Sequence, residues 1–289
     1  MEKLSTQHSA LSTQHSALST KNGFTLVELS IVLVIIGLLV GGVLVSKDLI
    51  EKAELRSVVT DLEAYQTAVR TFQLKYNGLP GDITDAEAYW GSDTSCPNTP
   101  TTTVAHVATC NGDGDGYIGY IANLGGGSKP TNYKELFRAW QQLSNAGLIN
   151  GMFTGVTGAS SSSNLILQQN IPTSRIANAG YTIVTIAPTH SNAAQWLYYS
   201  GNYGVTIEFG GIPNNNELPI KSAISTEGAY YIDTKMDDGL PATGRIVTWR
   251  HGNGWLSGVT SNLCANVGDT AYDFTQKGIQ CSLVLRNVF

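Results

Sequence analysis

The 289-residue chain is 42% apolar, enough for one sizeable globular core with room for a smaller lobe. Its formal net charge is -5, only 13% of residues are charged and no basic run stands out, which removes nucleic acid from the expected partners of the globular part. With 31 Gly and 13 Tyr, and with Ser, Thr and Asn crowding its middle, the composition suits a β-rich, loop-rich extracellular domain better than a cytosolic enzyme.

Residues 4–20 hold a repeat, LSTQHSA at 4–10 and again at 11–17, followed by LST. The block is polar, and two repeats are too few for a coiled coil, so it reads as an unstructured leader in which His8 and His15 carry no metal role. No second Met occurs before Met152, so a start downstream of the repeat would need a non-Met codon. Residues 24–45 are then almost wholly apolar. As a helix they would rise roughly 33 Å, enough to cross a hydrocarbon core of about 30 Å. Lys3 and Lys21 precede the segment and predict a cytoplasmic N-terminal side. An ordinary secretory signal has a shorter apolar run that ends at a small-residue cleavage site; here the chain continues into Ser46, Lys47 and Asp48.

Leu55, Val58, Val59, Leu62, Tyr65, Val69, Phe72 and Tyr76 carry the helical period onward, with charged residues on the other faces. The run Asn77-Gly78-Leu79-Pro80-Gly81 stops it. The spacing therefore predicts one helix of about 50 residues, near 80 Å long, apolar all round in its first half and amphipathic in its second. Beyond it, residues 82–130 read as loop-rich, 133–149 as a helix ending at Gly147, and 156–165 as a Ser/Gly-rich loop. Short strand-like runs follow at 181–187, 196–199, 204–209, 229–233, 245–250 and 282–287. The expected fold class is α+β, a long N-terminal helix laid on a mostly antiparallel sheet. The expected division is leader 1–23, membrane and filament-core helix 24–46, amphipathic helix 47–77 and extracytoplasmic domain 78–289.

Four cysteines fall into two local pairs, without a CxxC and without a His at zinc-finger spacing. In an exported chain two disulfides are expected. Cys96 with Cys110 and Cys264 with Cys281 is the favoured pairing of the three that four cysteines allow. Closing a loop of this size contributes about 3 kcal/mol in the chain-entropy account.

The sharpest feature is the junction Gly23-Phe24-Thr25-Leu26-Val27-Glu28. A carboxylate inside a membrane segment costs at least ~2.5–3.5 kcal/mol and needs a partner. A cut after Gly23 would create one, the cationic α-amino group of Phe24. In one chain the amine and Glu28 lie about a turn apart; between chains, Glu28 of one subunit could pair with Phe24 of its neighbour and set the axial register. Gly suits the cut because a bulky side chain would obstruct a protease at the membrane edge. These residues, with the run FTLVELSIVLVIIGLLVG, resemble the N-terminal signal of type IV prepilins and type II secretion pseudopilins. The resemblance implies cleavage after Gly23 by a prepilin peptidase, N-methylation of Phe24 and assembly through Glu28 into a helical filament. It also implies partners: other pilin or pseudopilin subunits, an inner-membrane assembly platform and membrane lipid before assembly. The expected location is a bacterial inner membrane, then a periplasmic or cell-surface filament. Gly37 and Gly41 form a GxxxG, which lets helices approach closely.

Two acidic turns are candidate Ca²⁺ sites. Asn111-Gly112-Asp113-Gly114-Asp115-Gly116-Tyr117 resembles the first half of an EF-hand loop, with alternating oxygen ligands, Gly at the sixth position and the Tyr117 carbonyl available. The twelfth position is Ala122, so the bidentate ligand must come from elsewhere, with Glu135 the candidate. The competing reading is a plain Asp/Gly turn. Asp237 and Asp238 lie in a second turn, 233–241, between two strand-like runs; it is similar to a turn of pilin-like proteins, and a plain Asp-Gly turn is the stronger reading there. The segment from Cys264 to Cys281 resembles the disulfide region of type IV pilins and is expected to clasp the last strand. No GxSxG, HExxH or phosphate-binding Gly loop occurs, and His106, His190 and His251 stand apart, so no catalytic role is expected. The expected function is a filament subunit; the alternative is a minor, tip-located subunit acting as an adhesion, binding or DNA-uptake module.

Overall fold

The computed structural model describes residues 23–94, 96, 105–119, 133–158, 165–186, 199, 201–213, 218–249, 264–266 and 268–288. The chain divides into two compact units, Met1–Leu49 and Ile50–Phe289, and one helix, α1 (Leu26–Tyr76), has residues in both. Within the first unit the side chains of Leu26–Val43 are all exposed, Leu26 to 87% and Leu38 to 74%. Among the described residues, α1 is the one helix long and apolar enough to cross a membrane. The aliphatic run meets no protein surface of its own, which is how a helix that is apolar all round looks when its burial must come from lipid or from other helices.

Within the second unit the same helix is amphipathic, and its periodicity does what the sequence asks. Leu55, Val58, Leu62, Val69 and Phe72 are buried in the core. Asn77 takes a left-handed φ of 54° just past the last turn, a common way for a helix to end. The helix packs on a four-stranded antiparallel sheet of order β1-β2-β6-β4. Its strands are β1 (Ala179–Ile186), β2 (Gly204–Gly211), β4 (Ile246–Thr248) and β6 (Leu283–Leu285). The register pairs Ile183 with Ile207, Ile207 with Leu285, and Ile246 with Leu285. All eight residues of β1 are buried, so both faces of that strand are covered. Tyr65 of α1 meets Tyr181 of β1 edge-on at 5.1 Å, and the Tyr181 hydroxyl donates to Asp61 at 2.9 Å. The chain end is held to the same helix: Gln66 Nε2 and Arg70 Nε donate to the Val288 carbonyl at 3.2 and 2.8 Å.

Helix α3 (Tyr133–Asn145) lies beside α1, with Trp140 edge-on to Tyr65 at 4.9 Å. A short helix, α2 (Ala86–Trp90), breaks the segment that reads as loop in the sequence. A second sheet pairs β3 (Ile224–Ser225) with β5 (Ile279–Cys281). These elements form an α+β fold, a long N-terminal helix with a mostly antiparallel sheet.

One predicted strand is a helix. Residues 229–233 belong to α4 (Thr226–Met236). Tyr230, Tyr231 and Ile232 favour strands, but Ser225 Oγ accepts the Gly228 N–H at 3.0 Å and caps a helix instead. Ala229, Ile232 and Asp233 then share one buried helical face. The acidic turn after it consequently joins a helix to β4, not two strands. The predicted run 196–199 lies outside the described residues except for Tyr199, as do the leader repeat and Ala122.

Candidate functional site

The N-terminal junction is built from a short reciprocal hydrogen-bond set. Glu28 Oε2 accepts from the Thr25 N–H at 2.8 Å and from Thr25 Oγ1 at 2.9 Å, while the Glu28 N–H donates to Thr25 Oγ1 at 3.2 Å. This is a capping box: Thr25 stands at the helix start and the acidic residue three positions on reaches back, each satisfying a donor that the first turn leaves free. It holds the carboxylate at the helix entrance beside Phe24, which is 86% exposed. A Cβ added at Gly23 would meet nothing within 4 Å, and the same holds at Gly37 and Gly41. Among the described residues no packing calls for glycine at these positions, which leaves room for a protease at Gly23 or a close-packed helix at Gly37 and Gly41.

In the first acidic turn the structure brings in a carboxylate that the sequence reading did not include. Asp82, Asp113 and Asp115 bring carboxylate oxygens within 4.8 Å of one another and can hold a metal ion. Asp82 is the residue that sequence reasoning missed. It follows the turn at 77–81, and the chain reversal sets it against the glycine loop. The Gly112 N–H donates to the Ile83 carbonyl at 2.8 Å, and a Cβ at Gly112 would stand 2.3 Å from the Asp82 backbone, so only glycine fits. Asp82 Oδ1 accepts the N–H groups of Gly114 and Asp115 at 2.8 and 3.1 Å, and Oδ2 that of Gly116 at 3.0 Å.

Asn111, expected as the first ligand, serves a different partner. Its Oδ1 accepts the Glu87 N–H at 2.8 Å and its own N–H donates to Glu87 Oε1 at 3.3 Å, which caps α2 from a distance. Glu135, the expected remote ligand, is outside the converging group; its Oε2 accepts the Gly119 N–H at 3.1 Å. Tyr117 stays at the loop end, its N–H bonded to Asp115 Oδ1 at 2.8 Å. Burial pushes Glu135 up to about 8, and the charges of Asp113, Asp82 and Asp115 add to it. Burial also raises Asp82, against the pull of the Gly116 and Gly114 N–H groups.

In the second turn Asp233, Asp237 and Asp238 converge in the same way and can also hold a metal ion. Here each carboxylate already closes the turn. Asp237 Oδ2 accepts the N–H groups of Arg245 and Ile246, and Asp238 accepts Leu240 N–H at 2.9 Å and Thr243 Oγ1 at 2.7 Å. Buried Asp233 accepts the Tyr272 hydroxyl at 2.8 Å and Gly239 N–H at 3.2 Å; burial pushes it up to about 7.

The disulfides Cys96–Cys110 and Cys264–Cys281 have Cα separations of 5.6 and 5.2 Å. Cys281 ends β5, so the second bridge ties that strand to the segment at Cys264. The first closes the loop that leads to Asn111.

Comparison with known proteins agrees with the junction. The family model described as "Prokaryotic N-terminal methylation motif" matches residues 18–44. No curated protein and no solved structure matches the chain. The match spans Gly23, Phe24 and Glu28 and most of the exposed apolar half of α1. The chain carries the prokaryotic N-terminal methylation motif, the signature of type IV pilin and pseudopilin precursors.

Proposed function

We propose that this chain is a structural subunit of a type IV pilus or a type II secretion pseudopilus. A prepilin peptidase cuts it after Gly23, Phe24 becomes N-methylated, and the exposed apolar half of α1 holds it in the inner membrane until it packs among sister subunits. The observation that carries the reading is the methylation motif seated on a helix start whose aliphatic run is wholly exposed. The capping box supports it further, because it gives the Glu28 carboxylate local partners in the lipid-held state and leaves it beside the new amine. Pairing with the amine of a neighbour would then neutralise both charges in the filament core. Mass spectrometry of the mature protein from its natural host is expected to find methylated Phe24 as the first residue. Any other N-terminus overturns the processing claim.

Ca²⁺ at Asp82, Asp113 and Asp115 belongs to the same proposal. Its support is three carboxylates converging on one point, with Asp82 oriented by three backbone N–H groups. The raised values of Glu135 and Asp82 set the sign of the pH dependence. A carboxyl whose folded value lies above its unfolded one gives stability that is fully present below the unfolded value, near 4.5 for Glu135, and is lost as pH rises through about 8. Without divalent cations the melting temperature is therefore expected to fall from pH 5 to pH 8. Millimolar Ca²⁺ should restore most of the loss at pH 8 and do so less in Asp82→Asn. Ca²⁺ without effect on melting at pH 8 would refute the cation site.

A further inference from the structure

We propose that the cleft at the C-terminal end of α1 binds a neutral saccharide, with Tyr89 as the stacking platform and Asp85 as the hydroxyl-binding group. The proposal does not rest on the filament reading. The cleft is open to solvent, with a volume of about 710 Å³, and Tyr76, Asn77, Thr84, Asp85 and Tyr89 are among its lining residues. That volume is in the range of a small-molecule site, and the cleft combines ring faces with a few polar groups, as such sites do.

Three features select the ligand class. The first is an aromatic corner: the rings of Tyr76 and Tyr89 stand 5.0 Å apart at 74°. The Lys75 ammonium lies 5.0 Å from the centre of the Tyr76 ring, whereas Tyr89 remains 52% exposed, so Tyr89 is the ring open to a ligand. The C–H face of a pyranose packs on such a ring without needing charge. The second is Asp85. It occupies the N-cap position of α2, yet its side chain makes no capping bond, because the remote Asn111 side chain satisfies the Glu87 N–H. An exposed carboxylate released from the usual duty of its position can accept two hydroxyl donors. Asp85 and Tyr89 are four residues apart, which puts them on one side of the turn about 6 Å apart, roughly a sugar ring's width. The third is charge. Lys75 is the one cation among the described lining residues, against two carboxylates, Asp82 and Asp85, which disfavours an anion; Asp82 is already bonded by three N–H groups, and Gln73, Asn77 and Thr84 are neutral. Planar polar groups beside an open ring fit a polyol better than a phosphate or a lipid.

The test uses the full chain in detergent. Trisaccharides of β-linked glucose, galactose and N-acetylglucosamine are titrated to about 10 mM, which reaches the weak affinities typical of small ligands. Binding of at least one is expected. Tyr89→Ala and Asp85→Asn should each weaken it by about tenfold or more, whereas Tyr89→Phe, which keeps the ring, should bind as the parent does. Melting curves of Asp85→Asn and Tyr89→Phe should match the parent, whereas Tyr89→Ala also loses its ring contacts with Tyr76 and Trp90 and should melt slightly lower. Absence of binding by all three sugars overturns the proposal, as does unchanged binding by Tyr89→Ala. An oligolysine peptide that binds through Asp85 when the sugars do not would make the cleft a cationic-peptide site and overturn it equally.

Discussion

Glu28→Ala is expected to leave the cut after Gly23 intact and to reduce incorporation into filaments by about 100-fold. Gly23 lies five residues before Glu28 in the chain, with open space around an added Cβ among the described residues, so the peptidase should still find its bond. Assembly is different. In the proposed filament, packed helices bury the free amine of Phe24, and removing one partner of a buried pair would cost about 3–5 kcal/mol because the other charge stays uncompensated. At about 1.4 kcal/mol per factor of ten, that is at least a hundredfold. Glu28→Gln separates the two roles of the side chain. Glutamine can keep the capping box with Thr25, since an amide oxygen serves at that position. It cannot neutralise an ammonium. If charge pairing drives assembly, Gln fails as Ala does; if helix capping is what matters, Gln assembles normally. Normal filament yield from the Gln variant would refute the pairing role, measured as the ratio of sheared filament to membrane-held mature subunit.

The junction was legible because it violates a local rule: one acid in an aliphatic run stands out in any reading. So was α1, whose period switches from wholly apolar to amphipathic where the second unit begins. Other features required knowledge of the folded chain. Asp82 opens a segment that reads only as loop-rich, and only the chain reversal through 77–81 sets its carboxylate within reach of Gly114, Asp115 and Gly116. The same approach explains why Asn111, correctly spaced for a loop ligand, is used to cap α2. Helix α4 was misread because Tyr230, Tyr231 and Ile232 carry strand propensity, and a single cap at Ser225 with a buried Ala229–Ile232–Asp233 face outweighs it. Local spacing found residues whose partners are near in sequence. It missed those whose partners come from afar.

Arg138→Met illustrates that second class and is expected to be the most damaging single change in the globular unit. Arg138 and Asp93 are only 2% and 6% exposed. The guanidinium donates to Asp93 Oδ2 at 2.9 Å and to Gln141 Oε1 at 2.7 Å. Gln141 Nε2 in turn donates to the carbonyls of His106 and Ala108 at 2.9 and 3.0 Å, and Asn145 Nδ2 to that of Val107 at 2.7 Å. One face of α3 thus holds the segment that ends at the Cys96–Cys110 bridge, with Arg138 and Gln141 buried and Asn145 at the edge. Burial lowers the basicity of Arg138, and the Asp93 carboxylate opposes that shift. Methionine fills most of the volume but leaves the Asp93 charge without its guanidinium. The expected cost is about 3–5 kcal/mol, a melting shift on the order of 10 °C for a unit of this size. His106 Nε2 lies 3.4 Å from the same Asp93 oxygen. Asp93→Asn in the Arg138→Met background removes the stranded charge and should recover part of the loss. No recovery in the double variant would show that Arg138 acts through packing and not through the charge it shares with Asp93.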